Sequence, residues 1–307
     1  MILLWGLPDE LPIASVNEAL SRLGHPATFL DQQGELTASI DLSVNSHLDG
    51  VITIGNQRID LETVTAFYMR PYDPRQLLDT HGLGERSLIS QRVFMFEDIL
   101  TSWAEITNAL VVNKPTAMTV NSSKPYQALK LQSLGFETPE TLITTDPDAV
   151  QEFLSRHESV IYKSISAVRS IVSQFTPAHR ERLADVCWAP TQFQEYVKGT
   201  DYRVHVVGDE VFACQVVSNA DDYRYPSLSG GSVEIQPCSL PAEVADRCVR
   251  ATHEMDLAVS GIDLRCTPDG RWFCFEINSS PGFSYYQQTT GQPIADAIAR
   301  LLITGRK

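Results

Sequence analysis

The chain has 307 residues, 43% hydrophobic and 20% charged, which suits a globular protein of one large domain or two or three smaller ones. Its formal net charge is −14, from 38 acidic and 24 basic residues with no run of Lys or Arg, which argues against unaided binding to nucleic acid or to an anionic membrane. No apolar stretch approaches the ~20 residues of a membrane span, the six cysteines contain no CxxC pair and read as buried thiols of a reducing compartment, and the expected location is cytoplasmic.

Residues 2–6 (ILLWG) predict a strand, 15–23 a helix ended by Gly24, and ATFLD a second strand closing on Asp31. A strand–helix–strand opening predicts an α/β unit with a parallel sheet. GVITIG and AFYMRP predict two more strands, residues 88–109 a helix, and VVNKP a strand stopped by its proline, which bounds a first domain at 1–117. A second unit, 118–190, opens on a helix capped by Asn121 or Ser122, with Pro125 in its first turn and Gly135 at its end. The strand TLITT, the helix DPDAVQEFLSRH capped by Asp146, and the strand SVIYKSIS follow. The third unit, 191–307, is rich in antiparallel signals: QFQEYV, a hairpin around Gly208-Asp209, the helix PAEVADRCVRATHEMDL, and a second hairpin, GIDLRCTPDGRWFCFEIN, turning at TPDG.

The second hairpin carries polar residues where a buried strand prefers Val or Leu. Strict alternation puts Trp272, Cys274, Glu276 and Asn278 on one face and Phe273, Phe275 and Ile277 on the other. A loop of two or four residues sets Asp263 opposite Cys274, on the face of Glu276 and Asn278; an odd loop turns it away. Ile262, Leu264, Phe273, Phe275 and Ile277 are then core. Two carboxylates and an amide are hard oxygen ligands that suit Mg²⁺ or Mn²⁺ shared with phosphate. The competing explanation is a structural ion pair with Arg265 or Arg271. Lys163 sits mid-strand and needs an anionic partner. Lys124 opens a helix, where the dipole prefers anions. One anion held by both lysines accounts for both, although a lone surface lysine accounts for Lys124 by itself. Asp201 and Arg203 stand in i, i+2 register, with His205 on the Arg203 face.

Lys124, Lys163, QEYVKG, DYRVHVVGDEV, GIDL and FEINSSPG…TTGQPIADAI occur in the order of the ATP-grasp enzymes. Over about residues 113–303 the chain resembles RimK-type glutamate ligases and the related graspetide-type enzymes that modify ribosomally made peptides. FYMRP, residues 67–71, resembles a piece of the peptide-modifying branch. The resemblance implies a pre-ATP-grasp α/β domain, a small central domain and a C-terminal antiparallel-sheet domain (α+β in the ATP-grasp region) that clasp ATP. It implies that Lys124 and Lys163 contact ATP phosphates, and that Gln194, Glu195, Tyr196 and Val197 receive adenine through backbone groups. Asp201 would bind ribose, and Arg203 the γ-phosphate or an acyl phosphate. Asp263, Glu276 and Asn278 would hold two Mg²⁺ (or Mn²⁺), with Arg203 and Asn278 as the catalytic pair. Ser280 and Gly282 would border the substrate. Arg224, in the polar loop 218–231, is a candidate for a substrate carboxylate, against the reading of a solvated loop.

The resemblance has one departure. The stretch after Lys163, SISAVRSIVSQF, lacks the family's glycines, and Ser164, Ser166, Ser170 and Arg169 stand where a glycine-rich loop would cover the phosphates. The expected activity is ATP-dependent carboxylate–amine ligation through an acyl phosphate, on an amino acid, peptide or protein, with room for a homodimer. The alternatives are a macrocyclase that crosslinks side chains of a precursor peptide and a nucleotide-binding regulator without turnover.

Overall fold

The computed structural model describes residues 1–44, 48–164, 172–218 and 233–305, and is a mixed α/β fold. In chain order β1 (Ile2–Gly6), α1 (Leu11–Arg22), β2 (Thr28–Asp31), β3 (Ser39–Val44), β4 (Leu48–Ile54), β5 (Gln57–Asp60), β6 (Ala66–Arg70), α2 (Pro74–Thr80), α3 (Leu88–Ile106) and β7 (Leu110–Val112) build the N-terminal part. The sheet β2-β1-β6-β7 is parallel throughout, as the strand–helix–strand opening predicts. Every residue of β1 is buried, as a parallel strand covered on both faces requires. On one face Trp5 stacks on Phe67 at 6.1 Å, and Phe67 meets Trp103 of α3 edge-on at 5.4 Å. The antiparallel sheet β3-β4-β5, of which only β4 is among the predicted strands, adds Ile52 and Ile59 to this core. On the other face Ile13, Val16 and Leu20 of α1 pack with Ile298 and Leu302 of the last helix of the chain, Ile294–Thr304. The two ends of the chain therefore share one core. Helix α3 stops at Ile106 rather than near residue 109, because Thr107 turns extended and its Oγ1 accepts the Ala109 amide.

After α4 (Pro115–Met118), residues 119–122 form a 3₁₀ turn, and α5 (Lys124–Ser133) starts after Ser123 with no side-chain cap. The expected Asn121 or Ser122 cap is thus displaced by the turn, while Gly135, at φ +85°, ends the segment. A second sheet, β10-β9-β11-β8, is made by β8 (Thr141–Thr144), β9 (Val160–Ser164), β10 (Ser173–Gln174) and β11 (Thr191–Glu195), all antiparallel. Helix α6 (Pro147–Arg156), capped by Asp146, covers one face through Val150 and Phe153.

The third sheet, β14-β13-β12-β15-β16, contains β12 (Thr200–Val207), β13 (Glu210–Ser218), β14 (Val233–Cys238), β15 (Val259–Cys266) and β16 (Trp272–Asn278). Val204, Val206, Ile262, Leu264, Cys274 and Ile277 turn to Val244, Cys248 and Ala251 of α7 (Ala242–Glu254). Helices α8 (Ser284–Thr290) and α9 (Ile294–Thr304) complete the chain. Cys187 is exposed, so the cysteines are not uniformly buried. Among the described residues no helix is long and apolar enough to cross a membrane.

The second hairpin departs from the even-loop register. Cys266 pairs with Trp272, which leaves residues 267–271 as an odd loop, and an odd loop alone would set Asp263 opposite Phe275. A bulge on β16 restores the facing: Leu264 pairs with Cys274, and Asp263 with Glu276. Two corrections follow. Leu264, not Asp263, lies opposite Cys274, which is fully buried in the core, and Phe275, expected in that core, is half-buried outside it.

Candidate functional site

Three strands deliver three charged residues to one transverse row. Arg203 on β12 pairs with Asp263 on β15, which pairs with Glu276 on β16. Arg203 Nη1 donates to Asp263 Oδ1 at 2.7 Å, and Lys124, at the start of α5, donates to Glu276 Oε2. Asn278, two residues along the same face, donates Nδ2 to Glu276 Oε1 at 3.2 Å. The side chains in this row are 8–19% exposed, so their charges act in poorly solvated surroundings. Burial pushes the Glu276 carboxyl up. The Lys124 charge and hydrogen bond, the Asn278 amide and the Lys163 charge outweigh burial and hold it at about 2.

Among the described residues the ion-pair partners of the two carboxylates are therefore Arg203 and Lys124, not Arg265 or Arg271. Arg271 pairs with Asp269 and Glu137. Arg265 grips both oxygens of Asp201, at 2.7 and 2.8 Å, and donates to the Val197 carbonyl at 2.8 Å. Its guanidinium lies 5.7 Å from the Tyr196 ring and 5.1 Å from the Phe275 ring.

The row is held from outside by residues far away in sequence. Gly261 leaves room for Arg203: a Cβ there would lie 2.4 Å from Arg203 Nη2 and 2.6 Å from Pro281 Cβ. Gln127, one turn after Lys124 on α5, exchanges two hydrogen bonds with the Ile277 backbone and so fixes α5 against β16. Buried Asn113 donates to the Val259 and Ser279 carbonyls and accepts from the Ala258 and Val259 amides. Arg70, of the FYMRP segment, forks onto Glu10 and donates to the Pro281 carbonyl at 3.2 Å.

A cavity of about 540 Å³ opens beside the row, between α5, β8, the cavity-facing side of β9 and β11, and β16. Lys124, Lys163, Gln192, Gln194 and Phe275 line it. Lys163 and Gln192 are cross-strand partners, so they leave the same face. The volume lies in the range of small-molecule sites.

The structure gathers Lys124, Lys163, Gln194, Arg203, Asp263, Glu276 and Asn278 at the row and its cavity. Other expected residues point elsewhere. Glu195 accepts the Glu140 amide and approaches His157 at 3.7 Å. Tyr196 lies under Arg265, Val197 is buried, and both oxygens of Asp201 are taken by Arg265. Ser280 and Gly282 are exposed in the turn between β16 and α8, a turn anchored through Ser279 and Pro281. His205 is wholly buried, its ring 5.1 Å from that of Tyr286. Burial, then the Arg203 charge, pushes its pKa well below the usual value, so it stays neutral. Arg224, Ser166, Arg169 and Ser170 lie outside the described residues.

Sequence reasoning missed Gln127, Asn113 and Gln192, and paired Arg265 with the hairpin carboxylates rather than with Asp201. Gln192 had a signal: in TQFQE two glutamines alternate with a core Phe193. The others act across 64 to 166 residues and leave no local pattern.

Residues 121–302 match the RimK-like ATP-grasp domain. Several relatives carry the name probable alpha-L-glutamate ligase. The one from Picosynechococcus sp. is 37% identical over 113 residues (36% of each chain), and the one from Aliivibrio salmonicida is 28% identical over 205 residues (63% of this chain, 67% of that one). Human N-acetylaspartylglutamate synthase A is 25% identical over 201 residues, 62% of this chain and 51% of that protein. The chain thus matches between about a third and two thirds of these relatives' lengths. Solved structures align along the whole chain. The ATP-grasp ligase PsnB, complexed with a phosphomimetic variant of its minimal precursor, Mg and ADP, has a TM-score of 0.82 at 27% identity, covering 100% of this chain and 98% of that one. The macrocyclase MdnC from Microcystis aeruginosa, bound with precursor peptide MdnA, has a TM-score of 0.83 at 22% identity, covering 98% and 99%, and shares the fold. With more than half its length matched by the family's domain, the chain belongs to the RimK-like ATP-grasp family.

Proposed function

We propose that this chain is an ATP-dependent ligase that joins a carboxylate to an amine, with a peptide supplying at least one of the two groups. The observation that carries the reading is the row Arg203–Asp263–Glu276–Lys124 beside a cavity that also receives Lys163. The two lysines suit the phosphates of ATP, and Phe275 and Gln194 suit its base. The backbone of Glu195, Tyr196 and Val197, expected at the base, and Asp201, expected at the ribose, lie outside the lining of that cavity, and Arg265 holds both Asp201 oxygens.

Among the described residues no group of three or more His, Cys, Asp and Glu side chains converges. Asp263, Glu276 and the Asn278 carboxamide still fit a hard cation, because Mg²⁺ commonly takes one or two carboxylates and completes its shell with phosphate oxygens and water. Bound there, Mg²⁺ or Mn²⁺ would neutralise phosphate charge and align the transferred phosphoryl group. Arg203, buried against Asp263, adds a fixed positive charge on the same side. A carboxylate is a poor electrophile. Transfer of the γ-phosphoryl group to it makes an acyl phosphate; the amine attacks that carbonyl, phosphate leaves, and the amine gives up a proton. The turn of Ser280 and Gly282 borders the acceptor side.

A second reading, crosslinking of side chains within a precursor peptide, is favoured by a groove on the opposite face of the central sheet. Tyr162 and Phe193 alternate with Lys163 and Gln192 and so face away from the cavity. With Phe175, His179, Leu183 and Val186 they line an apolar groove of about 240 Å³. Such a groove suits the apolar side chains of a recognition segment, and PsnB and MdnC were solved with precursor peptides. The test is ADP release with Mg²⁺ over free amino acids and peptides, with mass spectrometry for loss of one water per amide. Release with free amino acids alone would sink the peptide reading, and no release with any substrate would favour a regulator without turnover.

A further inference from the structure

Gln192 is 3% exposed and lines the cavity beside Lys163, yet its Oε1 accepts no hydrogen bond from any described residue. A buried amide oxygen without a donor is costly, and it persists where a ligand supplies the donor. Packing does not require an amide there. Phe193, the next residue on β11, fills the core of the opposite face, and an apolar side chain would cover the cavity wall equally well. Gln194, the next residue on the cavity face, is anchored, giving Nε2 to Thr141 Oγ1 at 3.0 Å. Gln192 has no such anchor.

A carboxamide presents one acceptor and one donor in a plane. That pattern complements the 6-amino group and N7 of adenine, whereas guanine offers two acceptors, O6 and N7, along the same edge. We propose that Gln192 reads the 6-amino edge of the nucleotide base and makes this site selective for adenine over guanine nucleotides. The proposal rests on the nucleotide-binding reading given above and adds the residue that chooses the base.

Calorimetric titration of the full chain with ATP and with GTP, in Mg²⁺, for the wild type and Gln192→Met, tests it. Methionine keeps the length of the side chain and removes both polar atoms. The wild type should bind ATP at least about ten-fold more tightly than GTP. Gln192→Met should lose about ten-fold in ATP affinity, keep its GTP affinity, and keep or raise its ligand-free Tm, because an unpaired buried acceptor has gone. An unchanged ratio of ATP to GTP affinity overturns the proposal. So does a variant that unfolds or melts lower without ligand, since Gln192 would then be structural. If the wild type binds neither nucleotide, the nucleotide reading falls with it; if it binds both and residue 192 leaves their ratio alone, only the base-reading assignment falls.

Discussion

Asp263 faces Glu276 across β15 and β16 because β16 carries one residue more than a regular ladder would hold. The loop 267–271 is odd and would turn the two carboxylates apart; the bulge turns them back together. The row from Arg203 to Lys124 depends on that irregularity. Phe275, displaced from the core by it, lies on the cavity wall with its ring 5.1 Å from the Arg265 guanidinium. If the cavity takes ATP as proposed, Phe275→Ala should raise the KM for ATP about ten-fold with a smaller change in kcat, because it removes an aromatic ring from the cavity wall and leaves the charged row intact. Steady-state kinetics at saturating second substrate check this.

At Gly261 on β15 a Cβ would strike Arg203, at 2.4 Å from Nη2. Gly261→Ala should cost about 1–3 kcal/mol of stability through this overpacking. It should also reduce turnover more than nucleotide binding, since the clash pushes Arg203 away from Asp263. Denaturant unfolding and ADP-release assays on the same preparation separate the two effects.

Asn113 uses both ends of its amide on buried backbone, at Ala258, Val259 and Ser279. Asn113→Ala leaves these groups unpaired and should cost about 2–4 kcal/mol. Hydrogen exchange should quicken at Ala258 and Val259 and across residues 279–282, while β1 stays protected.

How much was legible in the sequence follows from the range of each signal. The strand–helix–strand opening announced a parallel sheet, and Lys163 was legible as a cation in mid-strand. Glu276 and Asn278 were legible as polar residues in a buried strand. The bulge was not, because WFCFEIN reads equally well as an unbroken alternation. β5 (QRID) was missed because it carries a single apolar residue, whereas β3 (SIDLSV) alternates Ile40, Leu42 and Val44 as a strand does and was legible. Gln127 and Arg265 were opaque because each meets its partner across 150 and 64 residues, with no local spacing to betray the contact.

The N-terminal part carries its own titrating group. Glu35 accepts from Trp5 Nε1 at 2.6 Å, and burial, then the Glu97 charge, raises its carboxyl from 4.5 to about 9. A carboxyl whose folded pKa lies above its unfolded one contributes stability in full below about 4.5 and loses it as pH rises towards about 9. Glu35→Gln, which mimics the protonated acid, should flatten the pH dependence of Tm across that window and melt higher than the wild type at pH ~8. A wild-type Tm that climbs with pH across the window would contradict the assignment.

The most direct test of the ligase reading is Mg²⁺-dependent ADP release in the presence of a peptide carboxylate and an amine, comparing the wild type with Glu276→Ala. The account predicts ADP and amide in equal amounts from the wild type, and a fall of at least about 100-fold in turnover for the variant, which loses one of the two carboxylates of the row. Full turnover by Glu276→Ala would contradict it.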